Sequence, residues 1–245
     1  TDEILSRFCQ YFPTKNIAIL AVDPTRRRTG GALLGDRIRM NSLRNTNLYM
    51  RSMATRRQHK ATSAMLADAI SFLKSVGFDM VIVETAGIGQ SDSEIVDLVD
   101  LPIYVMTSEY GAASQLEKID MLDFAEIIVL NKYDRRGAQD ALRDVRKQWR
   151  RNHVKFEVRD EDISVYPTIA SQFNDPGLSW MFQNLCQKLN QKTNSGEVSW
   201  QHELKLTEKE PRATVLIPGE RTRYLAEIAE QGRTVNKNIE STATI

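Results

Sequence analysis

Short apolar runs alternate along the chain with stretches whose apolar residues recur every three or four positions. Ile4, Leu5, Phe8, Tyr11 and Phe12 share one face of a helix over Thr1 to Phe12, which Pro13 ends. Asn16 to Val22 is close to continuously apolar and predicts a strand buried on both faces, as in a parallel sheet. Met65 to Val76 predicts a second helix, closed by Gly77. Short buried strands follow at Met80–Val83, Ile103–Met106 and Ile127–Leu130, with helical stretches at about 114–124 and 138–151. Val165 to Ile169 predicts a last strand and 177–190 a last helix. Strands alternating with helices in this way imply an α/β fold, a mostly parallel sheet with helices on both faces.

After Lys192 the pattern stops. Thr193-Asn-Ser-Gly196 is turn-forming, and the remainder is polar with one helical candidate at 219–231. Residues 1–192 therefore read as the folded domain and 193–245 as a linker extension, too poor in apolar residues for a core of its own.

Composition narrows the classes without choosing one. The 245 residues are 41% hydrophobic and 27% charged, ordinary for a globular protein. With 33 basic and 32 acidic side chains the net charge is +1, so nothing global argues for nucleic acid or a membrane surface. Cys9 and Cys186 lie far apart with no metal-ligand spacing, the expectation being two reduced thiols in the cytoplasm. No apolar stretch approaches the roughly 18 residues of a membrane span. The chain opens on Thr1 without a signal-like segment, and is expected to be a piece of a longer one.

In an open parallel sheet, ligands bind beyond the carboxyl ends of the strands, and the chemistry-bearing residues here fall at those ends. Asn131-Lys132-Tyr133-Asp134 follows the strand Ile127–Leu130. This N-K-x-D pattern reads guanine: the Asp134 carboxylate accepts from N1–H and the 2-amino group, which adenine cannot offer together. The Lys132 stem can lie against the base while Asn131 ties loops together. The bland alternative is a charged strand-to-helix turn. Val81-Ile-Val-Glu84-Thr-Ala-Gly87 is the second signal. A carboxylate at a strand end can hold a magnesium shell through water, and Gly87 lets a backbone N–H approach a γ-phosphate. Most GTPases have Asp here, so Glu84 is a departure. Asp23-Pro24 supplies a second carboxylate, although alone it would read as an Asp–Pro turn. Thr168-Ile-Ala-Ser171 resembles a loop whose backbone and serine support the base. Together these point to the P-loop NTPase type of sheet. Between the first two strand ends, Arg26 to Arg37 and the arginines up to Arg57 fit a mobile loop that closes on phosphate or docks a partner. Base-stacking aromatics are nearly absent from it, Tyr49 excepted, which argues against a nucleic-acid surface.

These residues resemble a particular family. Ala21-Val-Asp-Pro-Thr25, Arg28-Thr-Gly-Gly-Ala-Leu-Leu-Gly-Asp-Arg-Ile-Arg-Met40, Val83-Glu-Thr-Ala-Gly-Ile-Gly-Gln90 and Asn131-Lys-Tyr-Asp134 look like the G-protein chaperones of adenosylcobalamin-dependent acyl-CoA mutases. Gly111 to Ala125 and Gly137-Ala-Gln-Asp140 narrow the resemblance to the G domain of the fused isobutyryl-CoA mutases. It covers roughly 16–190. It implies a domain that binds GTP with Mg2+, hydrolyses it to GDP, gates adenosylcobalamin loading and protects the mutase. Carried onto matching positions, Asp23, Asp36 and Glu84 are metal ligands, with Asp36 and Glu84 also catalytic. Asn131, Lys132, Asp134, Ser171 and Gly87 hold the nucleotide. Arg28, Gln90, Gln115 and Lys118 belong to switch or partner-contacting segments at 24–50, 84–94 and about 107–120. The implied partners are acyl-CoA mutase and cobalamin-binding domains, in the same chain or a partner subunit, within a homodimer. Adenosylcobalamin belongs to the parent protein and is not bound by this segment alone.

One motif of the family is missing. The G-x-x-x-x-G-K-[ST] loop that cradles phosphate should lie just before Thr1. The 245-residue piece alone is therefore expected to bind GTP poorly and turn it over hardly at all. Two alternatives stand beside the fused reading. One is a stand-alone G-protein chaperone for a separate methylmalonyl-CoA-type mutase. The other is an ATP-dependent kinase or transport ATPase, against which Asp134 argues.

Overall fold

A computed structural model describes residues 1–24, 40–55, 59–85, 93–110, 116–117, 119–193, 199–202, 204 and 224–243. Its helices are α1 (Asp2–Tyr11), α2 (His59–Ser75), α3 (Met121–Phe124), α4 (Ala138–Asn152), α5 (Pro176–Lys192) and α6 (Tyr224–Ala243). Its strands are β1 (Ile17–Pro24), β2 (Leu48–Thr55), β3 (Met80–Thr85), β4 (Ile103–Thr107), β5 (Ile127–Asn131) and β6 (Val165–Pro167). Every pairing is parallel, in two three-stranded sheets of order β2-β1-β3 and β4-β5-β6.

The burial pattern explains the layers. Ile17 to Val22 are all buried, as a central parallel strand requires. Ile17, Ile19 and Ala21 point into one core cluster with Ile127, Val129, Tyr166, Phe8 of α1 and Phe182 of α5. The alternate residues Ala18, Leu20 and Val22 meet Leu66, Ile70 and Leu73 of α2 on the opposite face. Ile128, Leu130 and Val165 likewise turn away toward Leu142, Val145 and Trp149 of α4. The two sheets thus share one helix-covered face and have separate cores on the other.

Three differences from the expected elements have physical causes. The arginine-bearing segment expected to be loop up to Arg57 contains β2, an edge strand whose Met50 enters the shared core while Arg51 stays exposed. The polar start of α2, from His59, carries no apolar period and so left no helical signal before Met65. The helix expected to end at 231 runs through Gly232 to Ala243. A mid-helix glycine costs about 1 kcal/mol relative to alanine and reads as a stop in sequence. Of the helix expected at 114–124, the described residues contain α3.

Beyond Lys192 the chain returns to the core. Trp200 is 2% exposed, its ring edge-on to Phe8 and Phe12. Its backbone N–H donates to Asn190 Oδ1 at 2.7 Å. Both cysteines are free thiols, and burial pushes Cys186 up to about 12. No helix among the described residues is long and apolar enough to cross a membrane.

Candidate nucleotide site

The N-K-x-D motif is built by two strand ends clasped together. Asn131 closes β5, and its side-chain Oδ1 accepts from the Thr168 hydroxyl at 3.2 Å and the Ala170 amide at 3.1 Å. The clasp is reciprocal, since Tyr133 N–H donates to the Thr168 carbonyl at 3.1 Å and Thr168 N–H to that of Leu130 at 2.9 Å. Lys132 takes the left-handed conformation, φ 56°, which is uncommon for a lysine and turns the chain off the strand. Its side chain is exposed and Asp134 is half-buried. Gly137 then opens α4 at φ 79°.

The loop after β6 is anchored from below. Asp175 is fully buried, and its Oδ2 accepts from Leu178 N–H at 2.7 Å, capping α5, and from Ile169 N–H at 3.1 Å. Burial raises the Asp175 carboxyl above its usual range, against the pull of the Ile169 and Leu178 amides and the Arg7 guanidinium. Gly177 has no alternative here: a Cβ would stand 2.0 Å from the Pro167 carbonyl oxygen. Ser171 follows Ala170 on this pinned loop and is exposed.

The second strand-end pair lies in the other sheet. Ala21 of β1 is in register with Glu84 of β3, and Asp23 follows two residues on. Glu84 Oε1 accepts from the Thr1 hydroxyl at 2.7 Å, and Oε2 is buried with no hydrogen-bond partner among the described residues. A buried carboxylate oxygen left unpaired costs about 1–3 kcal/mol, more when charged. A hydrated cation is the chemistry that would satisfy it, so Glu84 fits the expected metal. Among the described residues no three His, Cys, Asp or Glu converge as a ready ligand set. Asp36, Arg28, Gly87, Gln90, Gln115 and Lys118 lie outside the described residues, as does the Asp23 side chain.

Two contacts at this edge have no signature in sequence, because they depend on the crossing of distant elements. Asp2 of α1 accepts from the amides of Ser42 and Asn41, at 2.9 and 3.1 Å, and so anchors the turn that follows the arginine-rich segment. Burial raises its carboxyl, but the hydrogen bonds from Ser42 and Asn41 prevail and hold it below the usual range. Arg135, one residue past the N-K-x-D motif, pairs with Glu109 in the turn after β4.

The profile of the methylmalonyl-CoA mutase-associated GTPase MeaB matches residues 5–213. The chain is 50% identical to a fused isobutyryl-CoA mutase of Geobacillus kaustophilus over 98% of its length, and 48% identical to that of Cupriavidus metallidurans. It spans 22% of either relative, about a fifth of their length. A putative GTPase of Pyrococcus horikoshii is 42% identical over 50% of this chain and 39% of its own. The hydrogenase maturation factor HypB of Archaeoglobus fulgidus superposes with TM-score 0.52 at 14% identity, over 77% of this chain and 84% of that one, a likeness of fold. With the profile matched over most of its length, the chain belongs to the MeaB family of methylmalonyl-CoA mutase-associated GTPases.

Proposed function

We propose that this chain is the guanine-nucleotide switch of a longer, fused acyl-CoA mutase of the isobutyryl-CoA type. In that role it gates adenosylcobalamin loading by binding and hydrolysing GTP. The observation that carries the reading is the clasp of Asn131 on Thr168 and Ala170, which ties the loop bearing Ser171 to the strand end that bears Lys132 and Asp134. Asp134 supplies the acceptor that selects guanine over adenine. Asp23, Asp36 and Glu84 would hold magnesium, and the buried Oε2 of Glu84, unpartnered among the described residues, supports its share of that task. Magnesium supplies charge neutralisation at the phosphates when bound. Gly87 offers a backbone N–H to the γ-phosphate, and Arg28, Gln90, Gln115 and Lys118 belong to the segments that respond to it.

The phosphate-gripping loop has a natural place. β3 and β4 each keep an edge unpaired among the described strands, yet Met80, Ile82, Leu101 and Ile103 all lean on the one core under α1 and α5. One further parallel strand suits that position, and a loop leaving its carboxyl end would arrive at Thr1, beside Glu84. We assign that strand and loop to the segment preceding Thr1 in the parent. The extension after Lys192 would lead toward the mutase, in a cytoplasmic homodimer.

The test is adenosylcobalamin transfer to cofactor-free full-length protein, followed by absorbance with GTP, GDP or ATP present. Uptake that depends on GTP and not on ATP supports the reading. Uptake indifferent to nucleotide overturns the gating role, and preference for ATP overturns the guanine site.

A further inference from the structure

The loop that answers Asn131 ends in a side chain with no structural task. Thr168 and Ala170 bond to Asn131, and Ile169 is buried with its amide on Asp175. Gln172 N–H donates to the Ile169 carbonyl at 2.9 Å, Asn174 turns the chain at φ 53°, and Asp175 caps α5. Ser171 and Phe173 remain, and Phe173 is 96% exposed. It sits two residues past Ser171, on a turn whose two ends are both fixed. A whole phenyl ring is thus displayed to water from the loop that Asn131 clasps, on a backbone held at both ends.

A purine bound by Asp134 has two faces to cover. The Lys132 stem is expected to serve one of them, which leaves the other to a residue outside the motif. Aromatic rings cover bases well, because stacking needs only a π-face and a short reach. Phe173 is the exposed aromatic that the clasped loop itself carries. We propose that Phe173 is the second wall of the guanine pocket, stacking on the face of the base opposite Lys132. It is a specificity-neutral contact: it adds affinity for any purine nucleotide, while Asp134 chooses guanine. The loop is held before ligand arrives, so little backbone ordering is lost when the ring engages.

This inference rests on the guanine-site reading above, and the experiment separates the two. Dissociation constants for GDP and IDP are measured by calorimetry on the full-length protein with magnesium, for wild type, Phe173→Ala, Phe173→Trp and Asp134→Asn. Inosine keeps N1–H and lacks the 2-amino group, so the GDP-to-IDP ratio reports the 2-amino half of the carboxylate contact. Phe173→Ala is expected to weaken GDP and IDP alike by about tenfold, the lower end of base–aromatic stacking, with their ratio unchanged. Phe173→Trp is expected to restore affinity and to lose indole fluorescence when GDP binds. If Phe173→Ala binds GDP as wild type does while Asp134→Asn weakens it, the wall is wrong and the base site stands. If neither variant changes GDP affinity, the base site itself is wrong and the wall falls with it. The ring is solvent-exposed, so its truncation leaves folding intact.

Discussion

Phe8 on α1 and Trp200, eight residues beyond the end of α5, meet edge to face with ring centroids 5.4 Å apart. Phe12 meets the same indole at 5.2 Å, and Lys15 lies over it at 5.9 Å from the ring centre. The extension therefore begins by closing the core over the helix whose other end touches Glu84. Replacing a buried tryptophan with alanine costs about 3–5 kcal/mol. Trp200→Ala is expected to lower unfolding free energy by that amount in urea titration, with the slope unchanged. A loss below about 1 kcal/mol would show the strap to be peripheral.

Much of this architecture was legible beforehand, and the reasons are specific. The run Ile17 to Val22 could be read as a central strand because burial on both faces leaves it no polar position. β2 escaped notice because Leu48 and Met50 face one core and Met53 the other, with Tyr49, Arg51 and Ser52 breaking the apolar run. The strand-end residues of the site were visible as motifs, since each follows its own apolar run. What joins them was not. Thr168, Glu109, Asp2 and Phe173 take their meaning from partners 26 to 40 positions away or from exposure, neither of which a linear pattern carries. Trp200 shows the same limit, an isolated aromatic in a polar stretch that packs because α1 offers it a seat.

Asn131 holds two strand-end loops with one carbonyl oxygen, and its removal leaves both donors without their acceptor. Each lost partner costs about 1–3 kcal/mol where water cannot replace it, and Thr168 is buried. Asn131→Ala in the full-length protein is expected to weaken GDP binding at least tenfold, with a smaller fall in melting temperature. Nucleotide affinity within twofold of wild type would mean that the loop keeps its position without the clasp.

Glu84 presents one oxygen to Thr1 and one buried oxygen without a partner among the described residues. Glu84→Gln keeps the shape and removes the charge. Outer-shell substitutions at metal sites typically cost 10–100-fold in metal affinity or activity, and the magnesium needed for half-maximal GTP turnover should rise by about that factor. GDP affinity measured in chelator should stay unchanged. An unaltered magnesium profile would remove Glu84 from the metal's surroundings.

His202 gives the strap a pH dependence whose sign follows from its contacts. The imidazole sits 5.3 Å from the Tyr11 ring, 6.2 Å from Phe12 and 5.6 Å from Phe182, centre to centre. Its Nδ1 accepts from the Leu204 amide at 3.1 Å, which only an unprotonated Nδ1 can do. Burial lowers its pKa below the ordinary 6.5. Between the lowered folded value and 6.5 the unfolded chain holds more proton than the folded one, so stability rises with pH through that window. The contribution is complete above 6.5 and is lost as pH falls through the folded value. His202→Gln keeps an acceptor and removes the titration. Melting temperatures from pH 5 to 8 should fall less steeply on the acid side for the variant, by at most one proton's worth of slope. Parallel profiles for wild type and variant would show that the ring titrates alike in both states.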